Sequence, residues 1–370
     1  MAERTLTRRE LNRSTLARQL LLERVSLTPL EAIGHLLGLQ AQLCNAPYTG
    51  LWTRLRSFPR AGLTQLLENR QVVKATLMRS TLHLMTAEDY ILFRPVLQAA
   101  MSQLLPSVFA RQTQGIDSAQ FTAILHAYLE ERPRTGMELR AKFAELLPGV
   151  DNSQRMGDSI RAHLPLVQVF PNGSWNYTGR PAYTEAESWL GRPLADSETG
   201  RRSLVLRFLA AFGPASVKDM QNWSGLTRLQ EVIDALRPEL RTLRDEEGRE
   251  LFDLPDGLLL PEDQPAPVRF LPEYDNLLLA YDNRRRFLAD EHRSAIFTGN
   301  GIRATLLIDG FVGGTWKIVR ARTGARLVIE PFSPPAPELR RELQAEGEQL
   351  MRWWLASESE QFEIQCMPEN

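Results

Sequence analysis

Apolar residues recur at helical spacing in short runs along this chain, and the runs fall into three sets, each closed by a pair of β-prone stretches. In the first set, Leu6 to Leu22 reads as an amphipathic helix, and Thr28-Pro29-Leu30-Glu31 is a capping box with proline at the first helical position. The helix it opens is expected to run to about Gly38, and another is expected around Ala61 to Asn69. Val72 to Met78 and Thr81 to Thr86 then give two β-prone runs separated by Arg79-Ser80, the pattern of a hairpin. Helices followed by a hairpin are the element order of a winged helix.

The second set repeats the order. Ala119 to Glu131 reads as a helix stopped by Pro133, Thr135-Gly136-Met137-Glu138 caps a second that ends at Pro148-Gly149, and Asn152 to His163 is the third. Leu166 to Phe170 and Trp175 to Thr178 read as a hairpin across Asn172-Gly173, because Asn-Gly accepts the positive φ angles of tight turns. In the third set, Glu198 to Phe212 is a helix broken by Gly213-Pro214, and Ser216-Val217-Lys218-Asp219 starts a short helix ending near Trp223. Ser224-Gly225 makes the turn of a helix-turn-helix, Thr227-Arg228-Leu229-Gln230 caps the next helix, and Pro238 closes it. Leu240 to Leu243 and Glu250 to Leu254 flank Glu246-Glu247-Gly248 as a third wing.

After Asp256 the pattern changes to prolines and short strands: Asn276 to Ala280, Arg303 to Asp309, Phe311 to Arg320 and Arg326 to Pro331, before a last amphipathic helix over Pro337 to Ala356. That density of strands predicts a small barrel or curled sheet. The expected fold is therefore α+β, with three tandem winged-helix (helix-turn-helix) modules over residues 1–117, 118–195 and 196–256. A small C-terminal β-barrel with a terminal helix is expected over residues 257–370.

At 370 residues and 43% hydrophobic content the chain is too long for one small core, which fits several domains. No apolar run is long enough to cross a bilayer and the first ten residues are charged throughout, so a cytoplasmic location and no membrane partner are expected. Cys44 and Cys366 are too few for a disulfide framework and neither has a CxxC partner; the five histidines never fall at ligand spacing. No metal and no cofactor are expected. The glycines at 299–301 and 310–314 lack the Lys-Ser/Thr of a phosphate loop and read as turns, and no GxSxG elbow is present.

The net charge of −1 conceals an uneven distribution: residues 1–86 carry 12 basic against 5 acidic side chains, and residues 281–326 carry 9 against 4. Basic patches on a near-neutral chain suggest a local polyanion-binding face, although charge runs are also common on solvated surfaces. The most informative few residues lie inside the first patch. Gln40-Ala41-Gln42 follows a well-signalled helix and precedes a basic, β-prone stretch. Two glutamines two apart share a side only on an extended backbone, since side chains alternate along a strand but lie about 200° apart on a helix. Such a pair can hold one water or one base edge; it can also be the polar end of a helix.

The run Leu36-Leu37-Gly38-Leu39-Gln40-Ala41-Gln42, the run Leu77-Met78-Arg79-Ser80-Thr81-Leu82-His83-Leu84, and Leu271-Pro272-Glu273-Tyr274-Asp275-Asn276-Leu277-Leu278-Leu279 with Asp309-Gly310 and Gly314-Thr315-Trp316 resemble the AlkZ/YcaQ-like winged-helix DNA glycosylases. The likeness spans nearly the whole chain. It implies a C-shaped clamp on duplex DNA built from the modules above, and a catalytic signature of Gln, an apolar residue, then Gln or Asp. Gln40 and Gln42 match the glutamine version, which implies removal of bulky N7- or N3-alkylated purines, unhooking of interstrand cross-links, and repair or self-resistance to a genotoxin.

The chemistry agrees with that residue choice. Amides are not general bases at neutral pH, so Gln40 and Gln42 can only orient water. An alkylated purine is already cationic and leaves without protonation, so positioning accounts for much of the acceleration. Candidate DNA contacts are Arg54 and Arg56 in the basic stretch after the pair, Arg79 and His83 on the first hairpin, and Arg284, Arg285 and Arg286 in a loop of the C-terminal region. The expected partner is duplex DNA carrying alkylated purines, bound by a monomer. The competing readings are a non-catalytic winged-helix DNA-binding regulator and a protein-interaction scaffold.

Overall fold

The computed structural model describes residues 4–103, 118–146, 164–299, 301–321, 324–355 and 361–367; the helix expected over Asn152 to His163 lies outside them. The first helix is Arg8–Arg18, entered through a capping box in which Thr7 accepts from the Glu10 N–H and the Glu10 carboxylate accepts from the Thr7 N–H. Thr28 and Glu31 form the second capping box as the sequence predicts, opening helix Pro29–His35. Helix Arg60–Glu68 follows close to its expected bounds. The stretch after Gln42 is helical over Ala46–Trp52 and not β-prone as expected. Pro47 lies in its first turn, where a missing N–H costs nothing, and all seven of its residues are buried, so the run carries no one-sided pattern to read from sequence.

Strands Val72–Thr76 and Leu82–Thr86 form the first hairpin around a short turn at Met78–Ser80. They belong to a six-stranded sheet whose order is Leu39–Gln40, Leu82–Thr86, Val72–Thr76, Leu166–Gln168, Ala182–Glu185, Arg134–Thr135, with every pairing antiparallel. The first two repeats thus share one sheet through the Lys74↔Gln168 and Ala75↔Val167 pairs. The second hairpin differs from expectation: Leu166–Gln168 pairs with Ala182–Glu185, and Trp175 lies in a loop. Packing explains the change. The Trp175 ring meets Tyr48 at 5.4 Å, Trp353 at 5.4 Å and Trp354 at 6.1 Å, contacts that bury an aromatic side chain a strand edge would leave exposed.

Helices Ser197–Phe212, Val217–Ser224 and Leu229–Leu236 and strands Arg241–Asp245 and Glu250–Asp253 match the third repeat. Thr227 does not cap the third of these helices. The N-cap is Arg228 in the left-handed region, and the Leu229 N–H is satisfied from outside by the Gln221 side chain. Strand Thr5–Leu6 adds itself parallel to Arg241–Asp245, a pairing too short to read from sequence.

In the C-terminal region Arg269–Leu271, Thr305–Ile308, Phe311–Ala321, Gly324–Pro331 and Gln361–Cys366 make a five-stranded sheet in that order, whose two outer strands do not pair with each other among the described residues, so the expected barrel is open. The segment expected as a strand at Asn276 is instead a short helix, Asn276–Leu279, because the Asp275 carboxylate caps it at the Leu277 N–H. Its four residues are buried on all sides, which makes a continuous apolar run ambiguous between helix and strand.

The charge asymmetry acquires a structural meaning. Basic side chains of the first repeat pair with acids far along the chain: Arg9 and Arg13 with Asp309, Arg18 with Asp253, Arg24 with Glu346, Arg54 with Asp275. Much of the N-terminal surplus therefore neutralises the acidic remainder of the same molecule.

Candidate active site

Gly38 lets the chain turn from helix into strand: its φ is 89°, and a Cβ there would sit 2.7 Å from the Leu84 carbonyl oxygen. Leu39–Gln40 then pairs with His83 and Leu84, and the Ala41 N–H donates to the Leu82 carbonyl at 2.7 Å. The extended backbone expected of the glutamine pair is present at Gln40 and continues to the Ala41 N–H, while Gln42 lies in the bend that follows. The two side chains differ sharply in surroundings, since Gln40 is 7% exposed whereas Gln42 is open to solvent beside the exposed Leu43.

Gln40 is held by the tip of the first hairpin. Arg79 Nη2 donates to Gln40 Oε1 at 2.9 Å, and Arg79 Nη1 donates to the Trp223 carbonyl in the last turn of helix Val217–Ser224. Arg79 and Ser80 both sit at positive φ, 53° and 57°, a conformation that costs non-glycine residues energy and needs surrounding contacts to persist. Burial, with Arg284 nearby, lowers the Arg79 pKa to about 10, which still leaves it charged at neutral pH.

His83 stands opposite Gln40 in the register and is fully buried. Its Nδ1 lies 3.0 Å from the Thr81 carbonyl, which can only accept, so the proton is on Nδ1; Nε2 is a buried acceptor without a partner among the described residues. Burial, reinforced by the Arg79 charge, pushes the His83 pKa down to about 3. The imidazole is neutral in the folded protein at any pH where the unfolded chain, with an ordinary value of 6.5, would be titrating. As pH falls through 6.5 the unfolded state binds the proton first, so this group's contribution to stability is complete above that value and is lost on acidification toward pH 3. Between pH 7 and pH 5 the expected loss is about 2 kcal/mol. Urea midpoints should fall more steeply with acid in the wild type than in His83→Asn; equal slopes would show that His83 protonates freely in the fold.

The site is framed by three other segments. Asn45 and Asn176 exchange hydrogen bonds of 2.7 and 2.8 Å, fixing the loop after Gln42 to the second repeat. Beneath that loop, Lys74 Nζ is 3.3 Å from Asn172 Oδ1 and 3.6 Å from Cys44 Sγ, and burial lowers its pKa. On the third side Asn276 Nδ2 donates to the Gly38 carbonyl at 2.7 Å, which brings Glu273, a half-buried carboxyl whose pKa burial raises, onto the segment that braces the strand carrying Gln40.

The expected DNA contacts separate into two groups. Arg54 is fully buried and bidentate to Asp275, and Arg286 is buried against Tyr281 with bonds to Thr15 and the Pro214 carbonyl, so both are structural. His83 is also enclosed, and the Arg79 guanidinium is committed to Gln40 and Trp223 and not offered to a phosphate. Arg56 is exposed, its Nε on the Arg24 carbonyl. Arg284, Arg285, Arg249 and Arg293 line a crevice of about 290 Å³ together with Asp282 and Asp290, and Arg285 is paired with Asp290 at 2.6 Å while Arg249 is paired with Asp245 at 2.8 Å. Spacing could not separate these cases, because a run of three arginines does not say which of them turns inward. Among the described residues no group of three or more His, Cys, Asp or Glu is placed to hold a metal, and no helix is long and apolar enough to cross a membrane.

An interstrand DNA cross-link repair glycosylase of Streptomyces sahachiroi is 25% identical over 334 residues, which cover 85% of this chain and 88% of that protein. The solved structure of the Streptomyces sahachiroi DNA glycosylase AlkZ shares the fold, with a TM-score of 0.81 at 20% identity over 98% of this chain and 100% of that one. The model of the AlkZ-like DNA glycosylases matches residues 33–353, and the chain belongs to that family of DNA glycosylases.

Proposed function

We propose that this protein hydrolyses the N-glycosidic bond of cationic N7- or N3-alkylated purines in duplex DNA, bulky adducts and interstrand cross-links included, with Gln40 and Gln42 as the catalytic residues. The observation that carries the proposal is the pair of amides at the end of strand Leu39–Gln40, with Gln40 anchored by Arg79 and Gln42, in the bend that follows, open to solvent. The name of the Streptomyces sahachiroi relative supports the cross-link part of the reading.

Gln42 Oε1 accepts a hydrogen bond from a water and directs it at the anomeric carbon of the lesion. The glycosidic bond breaks with its electron pair passing to the cationic base, which leaves neutral; the water oxygen bonds to the sugar carbon and its proton goes to solvent. No group of the pair titrates, so the excision rate is level with pH in this mechanism. The alternative in which Glu273 acts as base makes the rate fall as pH drops through its raised pKa.

In this reading three winged helices over residues 1–117, 118–195 and 196–256 and the open sheet unit over 257–370 surround the duplex, and the protein acts as a monomer. The arginine-lined crevice is the seat for backbone phosphate. Arg285→Ala with Arg293→Ala should weaken binding by a similar factor for damaged and undamaged duplexes and reduce the salt slope by about 1 for each phosphate no longer neutralised. A slope unchanged from wild type removes the crevice from the DNA footprint. The reading as a whole is tested by incubating the purified protein with duplexes bearing different alkylpurines and cleaving abasic sites with alkali. Strand breaks at the lesion support it, and their absence for every lesion rejects it.

A further inference from the structure

We infer that Arg79 is a positioning residue that locks Gln40 as a hydrogen-bond donor and links its orientation to the end of helix Val217–Ser224; the inference rests on the catalytic reading of the glutamine pair. A primary amide can be turned by half a rotation at little cost, exchanging donor for acceptor. Guanidinium carries five N–H donors and no acceptor, so the only end of Gln40 that can face it is Oε1, which it meets at 2.9 Å. One lone pair of the Gln40 carbonyl is therefore taken and that oxygen is turned toward Arg79, while among the described residues nothing takes its Nε2. The end of Gln40 left facing away from the guanidinium, toward a substrate, is N–H.

This divides the labour of two residues that look equivalent in sequence. Gln42, exposed, is free to accept from a water, while Gln40 donates, to that water's oxygen or to an oxygen of the sugar or flanking phosphate. The lock has its own anchor. The last carbonyls of a helix have no intrahelical partner and form its negative end, and the Trp223 carbonyl is one of them. Arg79 Nη1 satisfies it, and Gly225, whose φ is 80°, lets the following turn pass close to the Arg79 backbone. A displacement of that helix on binding DNA would thus be felt at Gln40 through a single guanidinium. The two positive-φ residues at the hairpin tip are consistent with a side chain whose direction matters.

The test uses the full chain, a duplex with one N7-methylguanine, and single-turnover excision measured beside DNA affinity and thermal melting. Gln40→Glu keeps an oxygen toward Arg79 and removes the donor, so it should fold as the wild type and lose as much activity as Gln40→Ala. Arg79→Ala should slow excision by at least about 10-fold with little change in affinity. It should add less than about 2-fold in a Gln40→Ala background, because it acts through Gln40. Arg79→Lys, able to reach one carbonyl but not both, should fall between. Full activity in Gln40→Glu, or an Arg79→Ala effect of equal size with and without Gln40, would overturn the inference. So would an Arg79→Ala defect confined to affinity and salt slope. If instead Gln40→Ala itself excises normally, the catalytic reading has failed and the inference goes with it, a result distinguishable because the loss then appears at neither residue.

Discussion

Gln42→Ala is expected to reduce excision of an N7-alkylated guanine by roughly 10²- to 10³-fold, with Gln40→Ala close behind, the range found when one preorganised polar group is removed from an active site. The size follows from how little else there is. The leaving group is activated by its own charge, so the enzyme's remaining task is to place a water and to stabilise developing charge at the sugar. Gln42 is exposed and its removal leaves no cavity, so DNA affinity and stability should be nearly unchanged. Gln40 is 7% exposed and bonded to Arg79, so its alanine variant should also lose a modest amount of stability. Single-turnover rates on one lesion-bearing duplex decide the matter. Turnover equal to wild type in both variants would move the chemistry elsewhere, with Glu273 the next carboxyl to replace.

Arg54→Ala should be the most destabilising single substitution of a charged residue, costing about 3–5 kcal/mol, because it strands a buried carboxylate. The side chains of Arg54 and Asp275 are 0% and 1% exposed. The guanidinium meets both carboxylate oxygens at 2.9 Å and also serves the Gln19 and Gly50 carbonyls. Asp275 in turn caps helix Asn276–Leu279, and Asn276 holds the Gly38 carbonyl, so loss of the pair should loosen the strand that carries Gln40. Denaturant unfolding of Arg54→Ala, Asp275→Ala and the double variant is the measurement. Each single change should cost more than its share of the double, since removing both partners leaves no unpaired charge. If Arg54→Ala unfolds like the wild type and only weakens DNA binding, Arg54 is a DNA contact after all and the ion pair is dispensable.

Local chemistry was legible wherever neighbours in sequence decide the outcome. The Thr28 and Ser216 caps, the Arg79-Ser80 turn, the breaks at Gly213-Pro214 and Pro238 and the extended backbone of Gln40 all rest on residues within a few positions of one another. Contacts distant in sequence decided the rest. Trp175 left its expected strand for an aromatic cluster with Trp353 and Trp354, and the apolar run at Asn276 became a helix because it is enclosed by other elements.

The arginines show the division most clearly. A basic N-terminal stretch predicts a polyanion surface if its charges face water, yet Arg18, Arg24 and Arg54 face acids more than 200 residues away. By itself the sequence determined which short segments fold and that the first of two neutral amides two residues apart sits on an extended backbone. Only the tertiary structure decided which charges remain available and that the Gln40 amide is buried against Arg79 while Gln42 is exposed. Both outcomes depend on what a side chain meets across the fold, and a linear pattern carries no such distance.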